Sequence, residues 1–549
     1  MANRRSPSDI QINHRSTGLR LVMAAGASLL LLLPGTGPAL SDRAAAQTRR
    51  AADAPSYIEP YRPQFHFTPP RNWMNDPNGL VYLDGEYHLF YQYNPFGDKW
   101  GHMSWGHAVS RDLVHWQHLP LALAEENGVM IFSGSAVIDT SNTSGFGRPG
   151  KPAMVAIYTG YRPDDHSQTQ HIAYSTDRGR TWTKYPNNPV IDIHSTEFRD
   201  PKVFWHPPTR RWVMVLAMAA EHKTRFYASP DLKQWTLLSE FGPAGATGGA
   251  WECPDLFELP VVGQPGQRKW ALIVNINPGG IAGGSGAQYF VGSFDGTRFT
   301  AEDQGHWLDY GKDFYAVVTW SNVPRADGRR LAIGWINNWD YGQEVPTAPW
   351  RSAQSIAREL HIKSYSDGLR LVQSPVAELQ RLRLAHYRVV NRMIAGESDP
   401  FAGKSPRGKT LEIIATFEPG TATEFGLKVR KGANEETLVG YDTAAAELFL
   451  DRSRSGRVDF NPTFTGRRRG PLPIEQGRVK LHMFVDWSSV EVFGNDGRTV
   501  VTEQIFPSPQ SDRLALYARG GAARLVALDV WPLQSIWNTA SGARPARRR

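Results

Sequence analysis

Arg211-Trp-Val-Met-Val-Leu216 is one of five copies of a single pattern. The others are Glu86-Tyr-His-Leu-Phe-Tyr91, Pro152-Ala-Met-Val-Ala-Ile-Tyr158, Lys269-Trp-Ala-Leu-Ile-Val274 and Arg330-Leu-Ala-Ile-Gly-Trp335, with starts about 60 residues apart. Each places a charged or polar turn before an aromatic and an alternating apolar run, which is strand content at strand period. A second, offset series keeps the same spacing: Ser110-Arg-Asp-Leu-Val-His-Trp116, Ser175-Thr-Asp-Arg-Gly-Arg-Thr-Trp182, Ser229-Pro-Asp-Leu-Lys-Gln-Trp235 and Ser293-Phe-Asp-Gly-Thr-Arg-Phe299. These read as Ser-x-Asp turns closed by an aromatic, joining hairpin strands through side-chain bonds to the local backbone. Five units of roughly four strands cannot each bury their own faces, so they are expected to pack radially. The expectation is a five-bladed β-propeller over residues 60–372, with a long β-sandwich or a solenoid as the alternative.

In a propeller the innermost strand of every blade faces one central funnel, so residues far apart in sequence can meet there. Three repeats open with an acid followed within two positions by proline: Trp73-Met-Asn-Asp-Pro-Asn-Gly-Leu80, Arg199-Asp-Pro-Lys-Val203 and Trp251-Glu-Cys-Pro-Asp-Leu-Phe257. Asp76, Asp200 and Glu252 are therefore expected at equivalent inner-strand positions, with Asp255 a further carboxylate placed at the same funnel. An Asp before Pro is commonly a turn residue bonding its own backbone; three such motifs in three repeats point instead to a shared site.

After Gln373-Ser-Pro-Val376 the period is lost. Residues 373–394 read as a linker or helix. Leu411–Phe417, Glu424–Val429, Val479–Val485, Ser489–Phe493 and Leu514–Tyr517 then alternate apolar and polar as antiparallel sandwich strands do. The fold class is thus all-β: a five-bladed β-propeller followed by a C-terminal β-sandwich at 395–535.

Lys and Arg exceed Asp and Glu, 61 to 53, but the excess lies among Arg4–Arg50 and in a basic tail, 536–549, which leaves the body nearly neutral. That distribution argues against a nucleic-acid partner. Arg-rich residues precede an apolar run from Leu21 to Leu33, too short for the ~20 residues that span a bilayer. Small residues follow, so residues 1–46 read as a cleaved signal peptide, with an uncleaved anchor as the alternative. The expectation is a secreted (extracellular or periplasmic) protein without a stable membrane anchor. Cys253, the one cysteine, excludes an intramolecular disulfide and reads as a small packing residue beside Glu252. His88, His102, His107 and His115 have no metal-binding spacing. Gly279–Gly286 precedes no helix pattern and is a loop rather than a nucleotide cradle. No metal and no cofactor are expected.

The acidic motifs, with Phe90-Tyr-Gln-Tyr-Asn-Pro95, Trp100-Gly-His-Met-Ser-Trp-Gly-His-Ala108 and Phe132-Ser-Gly-Ser135, resemble glycoside hydrolase family 32, the levanases, inulinases and invertases. The resemblance runs from about His66 through the second domain; Trp487, where the family usually carries Arg, departs from it remote from the catalytic motifs. It implies a propeller plus sandwich, fructan or sucrose as substrate, Asp76 as nucleophile, Asp200 as transition-state stabiliser and Glu252 as acid/base. It also implies a fructose subsite lined by Asn75, Gln92, Trp100, Phe132, Ser133, Arg199 and Trp335, with Trp100 and Trp335 as core aromatics the competing reading. The chemistry fits: breaking a fructoside at C2 builds oxocarbenium character that one carboxylate traps while a protonated acid helps the alkoxide leave. A fructosyltransferase, an inverting propeller glycosidase and a carbohydrate-binding propeller remain as alternatives.

Overall fold

The computed structural model describes residues 56–404 and 406–537. The expected signal peptide and nearly all of the expected basic tail lie outside the described residues. Five antiparallel groups of four main strands succeed one another along the chain. Blade I comprises Asn72–Leu83, Glu86–Tyr93, Ser104–Ser110 and Trp116–Leu123; blade II Met130–Asp139, Ala153–Tyr161, Gln168–Ser175 and Thr183–Lys184. Blade III comprises Phe198–His206, Arg211–Met218, Lys223–Ser229 and Thr236–Phe241; blade IV Ala250–Val262, Arg268–Asn277, Gly286–Phe294 and Phe299–Ala301. Blade V comprises Tyr315–Thr319, Arg330–Ile336, Arg358–Tyr365 and Gly368–Pro375. The first strands of the five groups touch in cyclic order, I to II to III to IV to V and back to I, which closes the propeller.

All five copies of the apolar pattern fall on the second strand of a blade. That strand is covered on both faces by neighbouring blades, so it reads as almost continuously apolar. In blade III the alternation sorts the two faces: Trp212, Met214 and Leu216 pack with blade II residues Val137, Val155 and Ile157, whereas Val213 and Val215 pack with blade IV residues Leu256, Leu272 and Val274. The Ser-x-Asp turns join third and fourth strands. In blade I, Asp112 Oδ1 accepts the Val114 and His115 amides at 3.1 and 2.8 Å, and Asp231 does the same for Lys233 and Gln234 in blade III.

The stretch expected as a linker, 373–394, holds the end of blade V, a 3₁₀ turn at Ala377–Leu382 and the start of an edge strand, Tyr387–Ser398. That strand pairs with the long strand Arg513–Pro532, so the second domain's pairing begins earlier than the pattern change indicated. The long strand builds the sandwich from one folded sheet: residues 513–519 pair with Glu424–Lys431, and 524–532 with Leu411–Glu418. Between them Gly520 and Gly521 have φ of 64° and 147°, a conformation that lets the strand pass from one layer to the other.

Propeller and sandwich meet through buried charge. His66 sits between Asp486 and Glu491, each 2.8 Å from a ring nitrogen. Asp486 also accepts the Gln64 and Phe65 amides, and Glu491 the Ile356 amide and the Arg358 guanidinium. Burial disfavours the imidazolium, but the two carboxylates outweigh it and push the His66 pKa up to about 9. A pKa raised above the unfolded value of about 6.5 stabilises the fold fully below that pH, and the contribution is lost as pH rises through about 9. Its size is about 3 kcal/mol, from ~1.4 kcal/mol per unit. Denaturant midpoints between pH 6 and 10 should fall accordingly. His66→Gln, which leaves two buried carboxylates without their cation, should lose about 3 kcal/mol or more at pH 6 and flatten the profile; an unchanged slope in the variant would refute the assignment.

Candidate active site

Every innermost strand carries the same irregularity. Three residues on the inner strand span two on the second strand between Met74 and Pro77, Ile131 and Gly134, Arg199 and Lys202, Glu252 and Asp255, and Tyr315 and Val318. Each bulge leaves residues outside the ladder and re-aims their side chains. Pro77, Pro201 and Pro254 have no N–H to pair, so their sequences favour the interruption. The first extra residue is left-handed at Asp200 (φ 65°), Cys253 (φ 44°) and Ala316 (φ 52°). Such conformations cost about 1–3 kcal/mol each unless the surroundings fix them. Here the Asp200 amide donates to Thr159 Oγ1 at 3.0 Å, the Cys253 amide to Asp200 Oδ2 at 2.9 Å, and Asn275 bonds the Cys253 carbonyl and the Val317 amide.

The three acids flank this bulge but are not strictly equivalent: Glu252 is the last residue before it, Asp200 its first extra residue and Asp76 its second. That offset lets carboxylates from three blades converge without occupying the same height on the funnel wall. All three line one cavity of about 510 Å³.

Asp76 accepts from Asn75 Nδ2 at 3.0 Å, Ser133 Oγ at 2.7 Å and the Cys253 thiol at 3.5 Å. Burial raises its pKa, and these donors oppose the rise by favouring the carboxylate. Burial and the Glu252 charge push Asp200 up further, with Arg199 opposing. Glu252 receives Arg199 Nε at 3.0 Å on one oxygen and the Tyr315 hydroxyl on the other. Burial, followed by the Glu252 charge, drives the Tyr315 phenol well up, so it remains a donor. Burial likewise keeps Cys253 a thiol. Its sulfur faces Asp76 and Asp200 at 3.5 and 3.6 Å, so it bears on those two carboxylates rather than on the neighbouring Glu252.

Asn75, Gln92, Trp100, Phe132, Ser133 and Arg199 all line the cavity. Trp335 does not: it is fully buried, its ring 5.0 Å from that of Trp339, and Trp339 forms the wall. Trp335 belongs to a second strand, opposite Tyr315 in the ladder, which holds it one layer behind the surface. Asp255 is placed deeper still, fully buried and paired with Lys202 at 2.9 Å, outside the residues that line this cavity. Sequence reasoning missed Tyr315, Tyr161 and Trp339. Tyr315 holds the register position of Glu252 in blade V, a signal readable only once the bulges are aligned. Tyr161 stacks on Phe132 at 4.4 Å and 14°, extending the aromatic rim from Trp100.

A funnel with clustered carboxylates at its base and aromatic rings at its rim defines a glycoside-processing site on a propeller. The comparisons name the family. The model of the glycosyl hydrolases family 32 N-terminal domain matches residues 66–375 and that of the family 32 C terminal matches 378–532. The chain belongs to glycosyl hydrolase family 32 and is a glycoside hydrolase. It is 54% identical over 498 residues to a levanase of Bacillus subtilis (strain 168), covering 89% of this chain and 73% of that protein. It is 45% identical over 524 residues to an extracellular exo-inulinase of Aspergillus ficuum, covering 89% and 97%. Among solved structures, exo-inulinase from Aspergillus awamori superposes with a TM-score of 0.83 at 42% identity, covering 88% of this chain and all of that one. A β-fructofuranosidase from Schwanniomyces occidentalis complexed with fructosyl-erythritol gives 0.79 at 33%, covering 88% and 99%.

Proposed function

We propose that this protein is a retaining exo-β-fructosidase that releases terminal β-D-fructose from levan and inulin, and from sucrose, through a covalent fructosyl-enzyme. The carrying observation is the convergence of Asp76, Asp200 and Glu252 on one cavity, with Asp76 held by three hydrogen-bond donors. Asp76 Oδ attacks C2 as the bond from C2 to the glycosidic oxygen breaks, and Glu252 gives that oxygen its proton. Water then attacks C2, loses a proton to Glu252, and the C2–Asp76 bond breaks. Asp200 binds fructose hydroxyls by charge-assisted hydrogen bonds that orient the ring. Asn75, Gln92, Trp100, Phe132, Ser133 and Arg199 enclose that sugar. Relatives described as levanase and exo-inulinase support the substrate class.

Direct attack requires carboxyl groups of Asp76 and Glu252 ~5–5.5 Å apart, whereas ~6.5–9.5 Å would admit a water and invert configuration. Following early products from levan, inulin and sucrose by NMR should show free fructose appearing first as the β anomer. An α product would refute retention, oligosaccharide products without fructose would refute exo action, and transfer products in excess of fructose would indicate a transferase. We further propose export, on the strength of the leader-like residues 1–46 and the extracellular relatives; mature protein in the medium should begin near residues 40–47, and an intact Met1 in the cytoplasm would count against it.

A further inference from the structure

The innermost strands open at both ends. Beyond the bulges, their later residues frame a second cavity of about 860 Å³ between blades II, III, IV and V. The Lys202–Asp255 ion pair stands between this cavity and the small void beneath the carboxylates. Nothing in the proposed reaction uses it.

Its charge is unbalanced. Lys202 is paired with Asp255 at 2.9 Å and Arg268 with Glu258 at 2.6 Å. Arg325 and Arg330, which also line the cavity, have no ion-pair partner within 4 Å among the described residues, although the Asp255 charge acts on Arg330 from further away. The Arg330 guanidinium lies 5.1 Å from the centre of the Phe257 ring and makes no hydrogen bond to a described protein group. Asp255 does not supply one: its Oδ2 takes the Thr319 amide and Lys202, and its Oδ1 makes no hydrogen bond. Burial lowers the Arg330 pKa, with the Asp255 charge opposing the shift and the Arg268 charge adding to it. The Arg330 side chain is half-buried and its guanidinium nitrogens stay accessible, with five donors free to meet a ligand. The indoles of Trp205 and Trp270 line the same cavity, Trp205 being 36% exposed.

We propose that this cavity is an anion-binding site, taking an organic phosphate or carboxylate of about sugar size with its charged group on Arg330 and Arg325 and its body against Trp205 and Trp270. The catalytic cavity has the opposite character, with Asp76, Glu197, Asp200 and Glu252 against Arg199. An anion therefore selects one end of the propeller and a neutral sugar the other.

Calorimetric titrations with inorganic phosphate and with fructose 6-phosphate, both in saturating fructose, read the second site alone. One further site is expected for each. Arg330→Gln should weaken both about tenfold or more, and Arg330→Lys should recover part of the loss. Trp205→Ala should weaken fructose 6-phosphate but not phosphate, and fructose binding should stay unchanged throughout. Should Arg330→Gln fail to fold, Arg325→Ala, at an exposed position, should weaken phosphate binding in its place. The proposal is overturned by absence of phosphate binding to the wild type, by phosphate affinity unchanged in the folded arginine variants, or by fructose filling both cavities equally.

Discussion

Asp76→Ala is expected to lower kcat by roughly 10⁴-fold or more while fructan still binds. The variant removes the attacking oxygen, and no other carboxylate can take over. Asp200 is anchored by the Cys253 amide, and Glu252 is engaged by Arg199 and Tyr315. The cavity-lining residues Asn75, Gln92, Trp100 and Phe132 come from other positions and remain. Folding should be retained, because the lost carboxylate is one whose charge burial already penalises. Single-turnover rates and calorimetric binding of a fructan oligosaccharide separate these effects. Residual turnover above about one per cent of wild type, or loss of binding together with turnover, would remove Asp76 as nucleophile.

Glu252→Ala should divide substrates by leaving group. With levan, inulin or sucrose the departing alkoxide needs a proton, and the loss should be ~10²–10⁴-fold. An activated aryl fructoside departs unaided, so its first step should be little affected and the fructosyl-enzyme should accumulate. Azide, needing no general base, should then release β-fructosyl azide. Tyr315→Phe, which removes one of the two donors on Glu252, should show a smaller loss with the same dependence on leaving group. Equal losses on both substrate types without an azide adduct would transfer the role to Asp200. Asp255 is no longer a candidate, because its ion pair with Lys202 keeps it off the catalytic cavity.

The propeller is legible because its second strands are covered on both faces and therefore announce themselves as apolar runs; Arg211–Leu216 carries contacts to two neighbouring blades in alternate residues. The acids are legible because the innermost strand immediately precedes that run and proline marks its bulge. Blade V escapes the same reading: Phe314-Tyr315-Ala-Val317 has neither acid nor proline, so Tyr315 is invisible and Trp335, in the conspicuous second strand, draws attention in its place. The domain junction is hidden for another reason. His66 lies 420 residues before Asp486 and 425 before Glu491 in the chain, and nothing local to any of them marks a buried ion pair. The strand Tyr387–Ser398 reads as polar linker because much of it faces solvent.

The shared bulge separates what the funnel does from what holds it up. On either side of it the inner strands of blades II to V keep step with their neighbours, and that of blade I slips once more, between Asn78 and Val81, so the blade's interior is settled by residues that never see the cavity. The seats themselves, such as those of Asp76, Ser133 and Cys253, lie outside the ladder, and their side chains can be exchanged without moving the strand on which they stand. Removing one residue from a seat is a different matter: the strand beyond it would rotate by half a period and present its core face to the channel. The funnel therefore tolerates changes of letter but not of length, and new chemistry in this scaffold is open to substitution far more readily than to insertion or deletion.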